Sequence, residues 1–429
     1  MHNELLEAVD RLMPLLADLF AQIGERTSDG VGISRDAYGD VETAASEMVI
    51  DFARAQGLEA KYDRVGNVNV TAPGCFDDSP ELLIGSHIDS VPRGGNYDGL
   101  AGVIAGIGTL SVLQELGLAP RKTLRVLGFR GEESPWFGTA YLGSKLFTGQ
   151  LSRSEAESLR RFDSRKTLLE HLAHVGVLAS DIGDRPIVPL DRVRVYLELH
   201  IEQGPLLEEL GRPAGIATAI RGNIRHPFAK CFGRYAHSAG VPRHLRCDAL
   251  MATVKLIAGA DEHWRKEIEA GHDDLVFTCG IFQTDSAHQS MTKVPGEITF
   301  SLNIGSISDS VMEAMHRFLV SKAEALAREH NVRFDFGKRV GTGALALDSE
   351  IAGIVGRTAQ NIAVETHAMP TVGHDAAMFA RLGIPAAIIL VRNANGSHNP
   401  DEHMEMDDFG LSLKLLASSV VEIATSNRQ

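Results

Sequence analysis

The stretch Gly85-Ser86-His87-Ile88-Asp89-Ser90-Val91-Pro92, followed by Asn96-Tyr97-Asp98-Gly99, places a histidine and an aspartate eleven residues apart, each in a setting that suits a metal ligand. Just upstream, Glu81-Leu-Leu-Ile84 is a short apolar run that reads as a buried strand ending at Ser86. His87 then stands at the strand's C-terminal end, where open α/β sheets hold their ligands. Asp89, two residues on, can face the same way and accept the second ring N–H of His87. Such a bond fixes the tautomer of a ligating imidazole and raises its basicity. Gly94, Gly95 and Gly99 allow a tight loop that carries Asp98 back over the strand end, and Leu100 to Leu116 reads as an apolar helix.

Pieces of the same type recur downstream. Lys122-Thr-Leu-Arg-Val-Leu-Gly-Phe129 is a strand that runs into Gly131-Glu132-Glu133. Adjacent glutamates at a strand end point in different directions, so one can bind metal while the other stays free as a base. Val193-Arg-Val-Tyr-Leu-Glu-Leu199 is a third strand delivering His200, and Pro385-Ala-Ala-Ile-Ile-Leu-Val391 is a fourth, leading to Gly396-Ser397-His398-Asn399-Pro400. The candidate ligands are therefore His87, Asp98, Glu133, His200 and His398. One histidine among the 17 of the chain would mean little; matching contexts for all five carry the metal reading. Mixed imidazole and carboxylate ligands suit zinc, manganese or cobalt, and the absence of thiolates argues against a purely structural zinc.

With 429 residues the chain is too long for one ordinary core, so two domains are expected. Hydrophobic content of 44% and charged content of 23% fit a soluble globular protein. A net charge of −14 disfavours nucleic acid and anionic membranes as partners. Cys75, Cys231, Cys247 and Cys279 are scattered and read as free thiols of a reducing compartment. The N-terminal segment carries Glu4, Glu7 and Asp10 among apolar residues, so it reads as an amphipathic helix and not a signal peptide. A cytoplasmic location is the expectation.

Strand and helix patterns alternate from about residue 45 to 215, the mark of an α/β sheet. Near Ala217-Thr-Ala-Ile-Arg-Gly222 the character changes. Phe228–Phe232, Leu275–Cys279 and Glu297–Leu302 read as strands with alternating faces, separated by helix-like Asp248–Glu269 and Ser308–His330. A small α+β unit, 218–333, is thus expected as an insertion into an α/β domain built from 1–217 and 334–429.

These residues together resemble the M20 metallopeptidase superfamily, and within it the hydantoinase/carbamoylase-type amidases, a group that includes N-carbamoyl-L-amino acid hydrolases, β-ureidopropionase and allantoate amidohydrolase. The similarity runs through Asp29–Tyr38, Asp63-Arg-Val-Gly-Asn67, the metal motifs, His200-Ile-Glu-Gln-Gly-Pro205, Gly373-His374-Asp375-Ala376 and Ser397–Glu402. It implies a zinc-peptidase-like catalytic domain with an inserted ferredoxin-like lid and dimerisation domain. It implies two divalent ions per subunit, zinc first, with manganese, cobalt or nickel as alternatives. Asp98 would bridge them, His87 and His200 completing one shell and Glu133 and His398 the other. Catalytic roles fall to Glu132 as general base, to Asp89 and to His237; His237 lies in the insert motif Gly233-Arg-Tyr-Ala-His237-Ser-Ala-Gly240 and would reach a partner subunit's active site, which implies a homodimer.

Substrate contacts implied by the same likeness are Gln203, Arg225, His237 and Asn303, for a small-molecule substrate with a linear amide or ureido C–N bond. The match departs at two places. An Asp-x-Arg is usual at the end of the insert's last strand, and its Arg helps hold a substrate carboxylate; here Leu302-Asn303-Ile304-Gly305 puts Gly305 where that Arg is expected. Thr292 likewise replaces an Asn before the Pro295-Gly296 turn. Either Arg225, Lys293 or Arg392 takes over, or the substrate differs. A dipeptidase or N-acyl amino acid hydrolase is the rival enzyme reading, and a homologue that binds without turnover is the non-enzymatic one.

Overall fold

The computed structural model describes residues 2–75, 82–118, 124–183 and 185–425. Glu81, Lys122 and Thr123, at the leading ends of two expected strands, lie outside them. The chain divides into two compact units, Met1–Thr218 with Leu347–Gln429, and Ala219–Ala346.

The first unit is a mixed α/β fold. Its central strands are β1 (Leu82–His87), β2 (Leu124–Phe129), β3 (Val195–Ile201) and β4 (Ala386–Val391), and every residue of all four is buried. Continuous apolar runs of this kind are what a parallel sheet covered on both faces requires. The order is β2-β1-β3-β4, all parallel. His87 sits opposite Phe129, and His200 opposite Leu390, so the C-terminal strand ends share one edge. Between β1 and β2 the chain forms the helix α1 (Leu100–Glu115), whose residues from Leu100 to Leu113 are all buried. Such a helix, apolar all round, has neighbours on every side. Leu16 and Phe20 of His2–Thr27 and Leu413 and Phe409 of Met406–Thr425 belong to the same core.

The second unit is an antiparallel sheet with two helices. Glu297–Ser306 and Gly222–Phe232 pair at its centre, with Phe282–Thr284 and Arg333–Asp335 outside them. Burial alternates along both central strands, and the inward side chains Phe300, Ile298 and Ile304 pack on Leu256 and Leu319 of the helices Ala249–Glu269 and Asp309–His330. Both helices start on an oxygen cap: Asp248 accepts from the Met251 N–H, and Ser308 from the Val311 N–H. The boundary expected at 333 is corrected to 346. Arg333–Asp335 and Val340–Thr342 both pair with Gly222–Phe232, which keeps the chain in this unit through Ala346.

Candidate metal centre

His87, the last residue of β1, turns Nδ1 to the Asp89 carbonyl oxygen at 3.0 Å. His200, near the end of β3, turns Nδ1 to the Ile201 carbonyl oxygen at 2.9 Å. A carbonyl can only accept, so both Nδ1 atoms carry hydrogen and both Nε2 atoms are free to ligate. The two Nε2 atoms are 3.3 Å apart, and lie 3.4 Å (His87) and 3.1 Å (His200) from Asp98 Oδ1. The other oxygen of Asp98 faces elsewhere: His398 Nε2 is 3.3 Å from Asp98 Oδ2 and 3.2 Å from Glu133 Oε1. Donors bound about 2.0–2.1 Å from one tetrahedral centre sit roughly 3.3–3.4 Å from each other, close to these spacings. Asp98 Oδ1 is buried and lacks a hydrogen-bond partner, as a metal-facing oxygen would. Three sets of side chains converge tightly enough to hold an ion: His87, Asp98 and His200; Asp98, Glu133 and His398; His87, Glu132 and Glu133.

The loop bearing Asp98 is held from several directions. Glu402 accepts the N–H groups of Tyr97 (2.9 Å) and Asp98 (3.2 Å). The Ser397 hydroxyl bridges Asp98 Oδ2 (2.5 Å) and Glu402 (2.7 Å), and the Gln203 side-chain amide donates to Asp98 Oδ2 at 2.8 Å. Arg35, fully buried, donates to the Ile88 carbonyl (2.6 Å) and to the Asn96 side chain (3.1 Å). Gly99 has φ +68°, and a methyl there would meet the His87 ring at 2.4 Å. Gln203 (φ 66°) and His398 (φ 61°) hold left-handed backbone, strain of the kind that gathers at functional sites.

Asp89 does something other than expected. Its carboxylate is 3.5 Å from the His87 ring nitrogen, farther than its own carbonyl, and instead accepts the N–H groups of Glu132 (2.9 Å) and Glu133 (3.0 Å). It thus sets the turn that separates the two glutamates. The same turn is anchored from behind by buried Glu42, which accepts from Arg130 Nε (2.5 Å) and the Gly131 N–H (3.0 Å).

Electrostatics follow from this crowding. Burial, helped by Glu133, Asp375 and Asp89 and opposed by His87, lifts the Glu132 carboxyl well above the usual range, so it favours taking up a proton. Burial also opposes ionisation of Asp98, but the imidazoles of His200, His398 and His87 outweigh it and hold this carboxyl well below its ordinary value. Asp98 and Glu133 push His398 up to about 11.

The remaining expected site residues fall in both units. Gln203 is at the centre, on Asp98. Arg225, Asn303 and His237 belong to the second unit, where Arg225 pairs with Asn303 across neighbouring strands and donates to its side-chain oxygen at 2.9 Å. Exposed His237 accepts the N–H groups of Ala239 and Gly240 at Nδ1, both at 3.2 Å, which leaves the hydrogen on Nε2. Four residues had been given no role. Ser397 and Glu402 cradle Asp98. His374, buried and kept neutral by that burial, packs its ring 4.2 Å from His200 and meets the Thr371 hydroxyl at 2.8 Å. Glu198 takes the Ser86 hydroxyl and the Ala376 N–H, both at 2.8 Å. A lone charge inside the apolar run of β3 was the signal available for Glu198.

Residues 83–422 match the model of peptidase family M20/M25/M40. This chain belongs to that family. An N-carbamoyl-L-amino acid amidohydrolase of Geobacillus stearothermophilus is 29% identical over 97% of this chain and 98% of its own. An allantoate amidohydrolase of Bacillus subtilis is 29% identical over 94% and 95%. Among solved structures, a hydantoinase/carbamoylase family amidase from Burkholderia ambifaria superposes with TM-score 0.84 at 26% identity, covering 98% of both chains. These relatives are amidohydrolases, hydrolases of non-peptide C–N bonds, the enzyme class expected from the sequence. Among the described residues no helix is long and apolar enough to cross a membrane.

Proposed function

We propose that this M20 chain is a dinuclear-metal amidohydrolase that cuts a linear ureido or amide C–N bond of a small molecule resembling an N-carbamoyl amino acid or allantoate. The observation that carries the reading is the division of Asp98: one oxygen faces His87 and His200, the other His398 and faces the side where Glu133 lies. His87 and His200 would hold one ion, Glu133 and His398 the second, with Asp98 common to both; zinc suits these donors best, then manganese, cobalt or nickel. When bound, such ions supply Lewis acidity, lowering the pKa of a water and polarising a carbonyl.

The protein's own groups do the rest. Glu132 lies on the same turn as Glu133 and close to His87, with its proton affinity raised. It takes the proton of the attacking water and hands it to the departing nitrogen. His237, with hydrogen on Nε2, is suited to donate to the oxygen on which charge develops. Arg225, oriented by Asn303, is the cation we assign to the substrate carboxylate in place of the Arg missing at Gly305. The second unit would act as lid and as the surface of a homodimer; its strongly exposed Phe228 (71%) and Met291 (97%) support a partner there. Four free cysteines fit a cytoplasmic setting.

Metal analysis together with product assays on ureido, amidino and N-acyl compounds tests the reading. Two metals per chain and ammonia release are expected. Release of a carboxylic acid alone would move the substrate to the acyl or dipeptide class, and metal binding without turnover would leave a ligand-binding homologue. Glu132→Gln keeps its metal and loses about 10²–10⁴-fold in kcat; near-normal turnover in that variant removes Glu132 from its role.

A further inference from the structure

We infer that Tyr141, assigned no role so far, donates a hydrogen bond from its hydroxyl to the carbonyl oxygen of the bond being cut, an inference that rests on the reading of Glu132 above. Tyr141 immediately precedes the helix Leu142–Thr148 and has φ 66° and ψ 34°. For an aromatic residue this left-handed backbone is an outlier, strain that the surroundings must impose. What imposes it is the catalytic turn. The Tyr141 N–H donates to the Glu132 carbonyl at 2.9 Å, and the next residue's N–H donates to the Gly131 carbonyl, also at 2.9 Å. The side chain is therefore fixed from the backbone of the proposed base itself.

Its hydroxyl lies against Gly373, beside the His374 that packs on His200. A methyl group at Gly373 would come within 1.9 Å of that oxygen, so glycine is what leaves the hydroxyl its place. On the other side Ser144 ties the segment down, donating to Asp375 at 2.5 Å. Among the described residues the Tyr141 hydroxyl has no hydrogen-bond partner, whereas the ring is half-buried. A half-buried donor that is held by strained backbone, next to a base, and given no acceptor by the protein is set for an acceptor that arrives with substrate. Carboxylates dominate this part of the site, so a neutral donor complements a carbonyl oxygen that they would repel.

The test uses the full-length, metal-loaded enzyme. Tyr141→Phe removes only the hydroxyl; Gly373→Ala keeps the hydroxyl but displaces it. Tyr141→Phe is expected to keep its metal and its melting profile, Gly373→Ala to keep its metal and melt lower, and both to lose about 10- to 100-fold in kcat/KM, mostly in kcat. As a readout without turnover, calorimetry with N-carbamoylglycine on Glu132→Gln and on Glu132→Gln/Tyr141→Phe should show weaker binding by about fivefold in the double variant. Unchanged kcat and unchanged affinity in Tyr141→Phe overturn the assignment. So does a rise in KM alone, which would put the hydroxyl on a remote part of the substrate. Wild-type silence on every ureido and amide compound overturns the functional reading and the donor with it, whereas wild-type turnover that Tyr141→Phe retains overturns the donor alone.

Discussion

Single atoms decide whether the centre assembles. Gly99 ends the loop that returns Asp98, and a methyl there would press on the His87 ring at 2.4 Å while its φ of +68° disfavours any side chain. Gly99→Ala should leave the fold cooperative but cut metal content to below one ion per chain and abolish turnover; overpacking of this kind costs about 1–3 kcal/mol. Elemental analysis decides it, and a fully loaded, active variant would remove the steric argument. His398 offers a second handle. Asp98 and Glu133 raise it from 6.5 to about 11, so once metal is stripped with a chelator it keeps its proton at neutral pH. A histidine raised in the folded state stabilises fully below its unfolded value of about 6.5, and that contribution drains away as pH climbs through about 11. The chelated protein should thus melt lower at pH 10 than at pH 7. Reloading it at pH 7.5 should expel at least one proton per chain, because the ligating imidazole must be neutral. Calorimetry in two buffers of different ionisation heat measures this; uptake with no proton released would show His398 already neutral.

At the scale of elements, the turn that carries Glu132 and Glu133 depends on a helix far away in sequence. Glu42, on the helix Asp40–Ala55, neutralises Arg130 and accepts the Gly131 N–H, and both charged side chains are essentially out of solvent. Removing one member of such a pair leaves a buried charge uncompensated. Glu42→Gln should cost about 3–5 kcal/mol in urea unfolding; a loss under about 1 kcal/mol would mean that Arg130 finds another partner. Nothing in the spacing of the chain announced this pair. The strands were legible because each is a short, continuous apolar run, and four of the five candidate ligands were legible because each stands at or just beyond such a run; Asp98 was legible from the glycine-rich loop that returns it to the strand end. The cradle was not. Ser397, Glu402, Glu42 and Arg35 act by bonds to backbone or to carboxylates brought close only by folding. Asp89 was read as the partner of His87 because the two are neighbours in sequence, and its real partners, the amides of Glu132 and Glu133, come from 43 and 44 residues away. The insert was recognised by its alternating strands, but its end was placed early because Arg333–Asp335 and Val340–Thr342 are too short to carry a pattern.

At the scale of the whole molecule, the placement of the ligands makes stability divisible. Among the described residues one core lies around α1 and the central parallel sheet, a smaller cluster around Tyr38, Trp136 and Leu142 belongs to the same unit, and the second unit has its own core around Phe300, Leu256 and Leu319. All five candidate ligands belong to the first unit, which the chain builds from two separate segments. His398 comes from the second of these and His87, Asp98, Glu133 and His200 from the first, so an ion held among them joins segments that the insertion separates. A ligand that binds only the folded form adds about 2.7 kcal/mol at a free concentration 100-fold above its Kd. That increment acts on the first unit alone, since the second contributes no ligand atom. Scanning calorimetry should therefore resolve two transitions, of which only one moves down by several degrees when a chelator is added. A single cooperative peak that shifts as a whole would mean that the units unfold as one, and that the second unit's stability, like the first's, depends on the metal.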